Sequence, residues 1–144
     1  MGASRRRRRR QLPRPAGQAV LSAVAAFIND YPCPDPTFQP AAGQSLQEYL
    51  RDGVAGLIDA YTLAEASLDG RPVAVARVRT GVFGFTGAAS LAAYDSCVTG
   101  SPQLGLVDGY FVFIEPLTRG THELRLRSIG PFGTSQGTVT LNVR

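Results

Sequence analysis

The chain has 144 residues, 44% of them hydrophobic. That is long and apolar enough for a globular domain with a buried core, and it excludes a wholly disordered chain. The formal net charge is +4, but it is unevenly distributed. Residues 1–14 contain seven arginines and no acid, whereas the rest of the chain carries eight arginines against eleven acidic residues, a net charge of −3. The high isoelectric point therefore does not indicate a basic patch on the folded body.

Residues 1–16 are predicted to form a disordered arginine-rich arm, since they show no apolar period and contain prolines. The arginine run has four open interpretations. It is an incidental or regulatory tail, an electrostatic arm for nucleic acid or an anionic surface, the charged part of a secretory signal, or the flank of a membrane anchor. An anchor needs about 18 apolar residues, and the apolar run at 19–28 has only ten; no transmembrane segment is predicted. The nucleic-acid or anionic-surface interpretation assigns binding to Arg5, Arg6, Arg7, Arg8, Arg9 and Arg10.

Residues 17–144 are predicted to form a single β-sandwich domain, whose first half contains one helix. Residues 18–28 would be apolar on both faces of a strand. Their periodicity therefore does not distinguish a buried strand from a short buried helix. Residues 32–43 contain four prolines and are expected to be a loop. Ser45 and Glu48 form a capping box, and apolar residues at three- and four-residue spacing follow them. This pattern predicts an amphipathic helix over residues 45–61.

From residue 63 onward the apolar period changes to two, which indicates strands. Asp69-Gly70 predicts a tight hairpin turn, and strand-like residues continue from 75 to 85. Residues 86–107 are expected to be a loop, residues 108–127 a hairpin, residues 129–136 a turn-rich link and residues 138–143 a closing strand. The sequence thus predicts a mainly β protein, an antiparallel, jelly-roll-like β-sandwich with one helix.

Few side chains in the chain indicate chemistry. His122 is the only histidine, and the two cysteines lie 64 positions apart, so neither a histidine-based triad nor a zinc site is predicted. The carboxylates follow no D-x-D-x-D spacing and are expected to be surface groups, although a loop calcium site stays open. No catalytic residue, metal ligand or cofactor is therefore predicted. Convergence in one pocket would favour an enzyme, and the candidates for it are Asp30, Asp35, Asp95, Asp108 and Glu115.

Three features point to ligands and partners. Tyr31, Tyr94 and Tyr110 are candidates for a sugar-binding face, although core packing is the commoner role of aromatics at strand spacing. Cys33 and Cys97 both fall in predicted loops, and in an exported chain they are expected to form a disulfide. The closing strand at 138–143 has neither charge nor proline, so it is predicted to be an open sheet edge that recruits a second copy.

Several ordered segments carry a family resemblance: LAEASLDGRPV (63–73), VFGFT (82–86), DGYFVFIEPLTRGTHEL (108–124) and TVTLNV (138–143). Their order and spacing resemble a family of uncharacterised secreted bacterial β-sandwich proteins. PAGQAVL (15–21) and FIND (27–30) are similar to an earlier strand of the same family. The resemblance implies export, and it implies no catalytic residue.

The predicted function is a non-enzymatic binding or structural module, exported or attached to the cell surface, whose ligand is a glycan or another protein. The alternative is a self-assembling, capsid-like or nucleic-acid-associated subunit that uses the arginine arm.

Overall fold

The computed structural model describes residues 9–144, and for the first strand it describes the backbone pairing. The elements are β1 (Arg9–Arg14), β2 (Val20–Tyr31), α1 (Leu46–Asp59), β3 (Leu63–Leu68), β4 (Arg71–Val73), β5 (Val75–Arg79), β6 (Phe83–Thr86), a short 3-10 helix (Ala89–Ala93), β7 (Pro102–Ile114), β8 (Gly120–Gly130) and β9 (Gly133–Val143). One sheet has the order β1-β9-β8-β3-β4. In the other, β7 lies between β2 and β5 and also pairs with β6. Residues 9–144 are mainly β, with two sheets and one α-helix, as predicted; the jelly-roll connectivity stays a prediction.

Strand β1 differs from the sequence expectation. Arg9–Arg14 lie in the segment predicted to be disordered, yet they pair in parallel with β9, from Arg9 opposite Thr138 to Arg14 opposite Val143. The closing strand is therefore covered along its length and is not an open edge. An outermost strand tolerates Pro13, whose missing N–H need not serve a further neighbour. Residues 1–8 lie outside the described residues.

Helix α1 begins where the sequence predicts. The Ser45 hydroxyl accepts a hydrogen bond from the Glu48 N–H (3.2 Å), and the Glu48 carboxylate accepts one from the Ser45 N–H (2.9 Å). This reciprocal pair satisfies two donors that a helix start leaves without partners. The apolar run before it resolves as strand β2 rather than as a helix.

The described chain divides into two compact units. The first contains the residues up to Ala25, Tyr61–Ala76 and Tyr110–Arg144, and the second contains Ala26–Ala60 and Arg77–Gly109. In the first unit, side chains from both sheets share one apolar core, which is the packing of a β-sandwich. Its buried members are Val20, Ala66, Val112, Ile114, Leu124 and Leu141.

In the second unit, α1 packs on the sheet. Leu50 and Val54 of the helix are buried against Leu106 of β7. The Asn29 side chain of β2 donates to the Tyr49 and Leu50 carbonyls, at 3.1 and 3.3 Å. A Cβ at Gly53 would overlap the Asn29 side chain, so glycine at this position permits the close helix–strand approach.

Two segments expected to be irregular belong to strands. The predicted loop at 86–107 ends early, because β7 already begins at Pro102. The predicted link at 129–136 is a tight hairpin, in which Gly130 of β8 lies opposite Gly133 of β9. In the first case pairing with β6 overrides a local composition rich in small residues, and in the second the turn-forming residues connect two paired strands. The predicted turn at Asp69-Gly70 is confirmed, with φ of 50° and 78°, as a type I′ hairpin turn requires.

Candidate functional site

An uncharged depression in the second unit is a groove of about 560 Å³, called the apolar groove below. It is lined by Tyr31, Pro32, Leu46, Gly84, Phe85, Thr86, Pro102, Gln103 and Leu104. These residues come from the end of β2 and the residue after it, the first residue of α1, strand β6 and the start of β7. No lining residue is charged, and Leu104 remains 41% exposed.

The floor of the apolar groove follows from strand pairing. Gly84 lies opposite Leu104, and Thr86 lies opposite Pro102, in the antiparallel β6–β7 ladder. Three consecutive residues of β6 line the groove, although alternate side chains of a strand point to opposite faces. The backbone of β6 therefore forms part of the wall. Because Gly84 has no side chain, it leaves the Leu104 side chain accessible.

Gln103 is the fixed polar group at this groove. It is only 4% exposed, and its Nε2 donates to the Cys97 carbonyl at 2.7 Å and the Pro32 carbonyl at 2.9 Å. Its Oε1 accepts from the Thr99 N–H at 3.2 Å. An amide nitrogen has two hydrogens, so these two carbonyls use its donors. Gln103 thus joins the loop after β2 to the loop before β7 instead of offering hydrogen bonds to a ligand.

Asp30 lies behind Gln103. Its carboxylate is 3.4 Å from Gln103 Nε2, and the residue is only 6% exposed. Burial, and secondarily the negative charge of Asp95, raise the pKa of Asp30 above its ordinary value. A buried carboxyl without a cation favours its neutral form. Asp30 was expected to be a surface acid, and that expectation is wrong.

A disulfide closes the same region. Cys33 and Cys97 are bonded, with their Cα atoms 4.5 Å apart, so the predicted pairing between the proline-rich loop and the loop before β7 is confirmed. The two carbonyls that Gln103 binds belong to Cys97 itself and to Pro32, the neighbour of Cys33. The covalent bridge and the glutamine therefore hold the same two loops together.

A second buried carboxylate of this unit lies in a different environment. The Asp108 side chain is fully buried, and it accepts two hydrogen bonds from Arg77 (Nε 2.9 Å, Nη2 2.8 Å). It accepts a third from Arg79 Nε (2.8 Å), Arg79 Nη2 forms an ion pair with it at 2.7 Å, and Arg77 Nη1 also binds Asp59 at 2.6 Å. These four residues are called the arginine cluster. Arg77, supported by Arg79, lowers the pKa of Asp108. Asp108 was expected at the surface, and that expectation is wrong.

Single-residue reasoning missed both buried aspartates. For Asp108 a signal existed: Arg77 and Arg79 are two apart, so in a strand both side chains point to one face. An acid on the next strand is their natural partner. For Asp30 the sequence contains no such signal, because its amide partner lies 73 positions away.

The single histidine joins two turns of the first unit. His122 Nδ1 lies 2.8 Å from the Asp69 carboxylate, and Nε2 lies 2.9 Å from the Thr118 carbonyl. Both partners are acceptors, so only the protonated ring donates to both. Asp69 and then Thr118 raise the pKa of His122. This geometry is that of a structural histidine, and no nucleophile is among its hydrogen-bond partners.

The first unit has a smaller, polar groove of about 320 Å³ on β3, β8 and β9. Arg127 and Glu65, which both line it, form an ion pair at 3.0 Å. Arg125, also in the lining, is paired with Glu123 at 2.6 Å. Both ion pairs are substantially exposed, and exposed pairs of this kind contribute little energy.

The remaining predicted groups do not form one site. Among the described residues, no three histidine, cysteine or acidic side chains are grouped as a metal site. Tyr31 lines the apolar groove, Tyr94 is 90% exposed, and Tyr110 packs edge-on against Tyr61. Arg9 and Arg10 lie in β1. The other arginines of the predicted binding set, Arg5, Arg6, Arg7 and Arg8, lie outside the described residues.

No helix within residues 9–144 is long and apolar enough to span a membrane. Comparisons of the chain with protein-family models, curated proteins and solved structures find no match.

Proposed function

We propose that this protein is an exported, non-enzymatic binding module whose apolar groove receives a segment of another protein. One observation carries the proposal. A groove of about 560 Å³ has nine lining residues and no charge among them. Sites that bind ligands are typically concave and mostly apolar, with few polar groups that set orientation. A neutral groove of this kind fits an uncharged segment and offers no counter-charge for phosphate groups.

The lining supports a protein ligand over a glycan. Glycan sites need many hydrogen-bonding side chains around the sugar hydroxyls, whereas the side chains here are mainly hydrocarbon. The Gln103 amide uses both donors on loop carbonyls. The side-chain polar groups that remain are the hydroxyls of Tyr31 and Thr86. Apolar side chains of a bound polypeptide match this surface better than a sugar does.

The disulfide supports export. Structural disulfides persist in oxidising compartments and are rare in the cytosol. The Cys33–Cys97 bridge lies next to the groove, because Pro32 lines it and Gln103 binds the Cys97 carbonyl. Export would therefore keep the groove in the form described above. The family resemblance, which implies secretion, stays a prediction.

The other predicted partners stay predictions as well. The homo-oligomer was inferred from an open edge at β9, and that edge is covered by β1. The capsid-like or nucleic-acid-associated alternative depends mainly on Arg5–Arg8, which lie outside the described residues.

Peptide selection tests the proposal. The oxidised protein is immobilised, and a displayed library of random peptides about twelve residues long is selected on it. The selected peptides are then synthesised, and their affinities are measured by calorimetry. We expect the selected peptides to be uncharged and apolar. Their affinity for the Leu104→Asp variant should be about 10- to 100-fold lower, because one buried leucine contact is lost. The matched control is Leu91→Asp. Leu91 lies in the same unit, is similarly exposed at 46% against 41%, and does not line the groove.

Two results would overturn the proposal. One is a selection that yields no binder, or only binders that tolerate Leu104→Asp as well as Leu91→Asp. The other is a glycan that binds on an array and requires Leu104, which would assign the groove to a sugar.

A further inference from the structure

Strand β6 is the edge strand beside the apolar groove. In the part of the chain that the structure describes, β6 pairs with β7, and no strand pairs with its other side. Unpaired N–H and C=O groups on such an edge are a template for a further strand. Natural edges are often protected by charge or proline, and Phe83–Thr86 contain neither.

The ladder indicates which groups face outward. In an antiparallel pair, residue pairs that exchange two hydrogen bonds alternate with pairs that exchange none. Thr86 lies opposite Pro102, and proline has no N–H, so this pair cannot exchange two bonds. The two-bond pairs are then Phe83–Gly105 and Phe85–Gln103. The N–H and C=O groups of Gly84 and Thr86 consequently face away from β7.

The same two residues line the apolar groove. A strand added beside β6 would therefore bond to Gly84 and Thr86 while alternate side chains reach toward the groove. Backbone bonding supplies affinity in this mode of recognition, and side-chain pockets supply selectivity. The groove volume of about 560 Å³ holds several apolar side chains, and its lack of charge requires an uncharged segment.

We propose that β6 binds its partner by strand addition: an extended, uncharged peptide pairs with the outward groups of Gly84 and Thr86 and places alternate apolar side chains in the apolar groove. This mode rests on the proposed function, since it specifies how the same groove holds a peptide.

Backbone methylation of the selected peptides tests the pairing directly. An N-methyl group removes one N–H donor and blocks strand pairing at that residue. Affinity should fall at least about tenfold at every second position of the peptide core and change less than about threefold at the intervening positions. A peptide bound as a helix, or through side chains alone, would not show a two-residue period.

A matched pair of protein variants tests the other partner. Thr86→Pro removes the outward N–H and leaves the two-bond pairs to β7 intact, whereas Thr86→Val keeps the N–H and a similar shape. We expect Thr86→Pro to weaken the selected peptides at least about tenfold and Thr86→Val to change them less than about threefold. Circular dichroism and thiol titration of the denatured protein verify that both variants are folded and oxidised.

Three outcomes overturn the inference. In the first, peptides bind and require Leu104, but their methylation profile has no two-residue period; strand addition then fails while the proposed function stands. In the second, no peptide binds, and both fail. In the third, light scattering shows a dimer that Thr86→Pro dissociates, so the edge belongs to a second copy. If Thr86→Pro misfolds, the methylation profile alone decides.

Discussion

Two regions of the second unit each bury an aspartate, and they shift the pKa of its carboxyl in opposite directions. Asp108 has three hydrogen bonds and a further ion-pair contact from two guanidiniums, and these lower its pKa. Asp30 has a neutral amide at 3.4 Å and no cation among its hydrogen-bond partners, and burial raises its pKa. Equal burial therefore does not imply an equal electrostatic state, because the partners decide which form of the carboxyl is favoured.

The difference separates two roles. The arginine cluster is a structural network, in which two partly exposed guanidiniums compensate one fully buried carboxylate. The region around Asp30 and Gln103 contains one buried carboxyl with no cation among its hydrogen-bond partners, and it lies beside the apolar groove. Burial there acts against the charged form of that carboxyl.

The largest expected effect is the loss of the Asp108 charge. In Asp108→Asn, an amide N–H₂ would face guanidinium donors, and both arginines would lose their buried counter-charge. Breaking a buried ion pair costs about 3–5 kcal/mol in free energy of unfolding, and the partial exposure of both arginines places this variant near the lower end; chemical denaturation measures it. Asp30→Asn is the matched control and should change stability by less than about 1 kcal/mol at neutral pH. Equal losses of unfolding free energy in the two variants would contradict the proposed difference between the two aspartates.

Removal of the disulfide should have a slightly smaller effect, and it should act on the Asp30 region. The bridge spans 64 positions, so Cys33→Ser combined with Cys97→Ser should lower the free energy of unfolding by about 2–4 kcal/mol. Amide hydrogen exchange shows which region is destabilised. The Thr99 amide, bound to Gln103, should lose protection before amides beside Asp108 do. Uniform loss of protection would mean that the bridge does not act locally.

The pH dependence of Asp30→Asn sharpens the contrast further. A raised folded pKa means that the charge is a cost, which is absent below the unfolded pKa and complete above the folded one. The variant should therefore gain stability relative to the wild type as pH rises from about 3 to 7, by up to about 1 kcal/mol. Asp108 behaves oppositely: its lowered pKa gives a contribution that is present at neutral pH and lost as pH falls through the folded pKa. A flat difference profile for Asp30→Asn would contradict this assignment.

The smallest expected effect concerns His122 and Asp69, a pair that is more exposed than the two buried aspartates. His122 has a raised pKa, so its bonds contribute fully below the ordinary histidine pKa and are lost as pH rises through the raised value. Because the Asp69 side chain is 48% exposed, solvent screening limits the contribution to less than about 1 kcal/mol. A histidine NMR titration should show the raised pKa and its return toward 6.5 in Asp69→Asn. An unchanged pKa in that variant would remove Asp69 as the main cause.

Local signals predicted the local features of this protein well. The capping box at Ser45 and Glu48, the Asp69-Gly70 turn and the mainly β class each depend on neighbouring residues, and each is found in the structure. The disulfide was also predictable, because a chain with two cysteines offers only one intramolecular pairing. Of the apolar groove, the sequence analysis named only Tyr31 as a candidate ligand contact.

Tertiary structure decided the rest. Arg9–Arg14 have no strand signal of their own, and they are ordered through pairing with β9, more than a hundred positions away. Asp30 meets Gln103 across 73 positions, and Asp108 meets Arg77 across 31. The apolar periodicities, the helix cap and the turns can be predicted from the sequence, because their energies arise between residues a few positions apart. Sheet neighbours and the partners of buried charges were decided only in the fold, because those energies exist only after distant segments have been brought into contact.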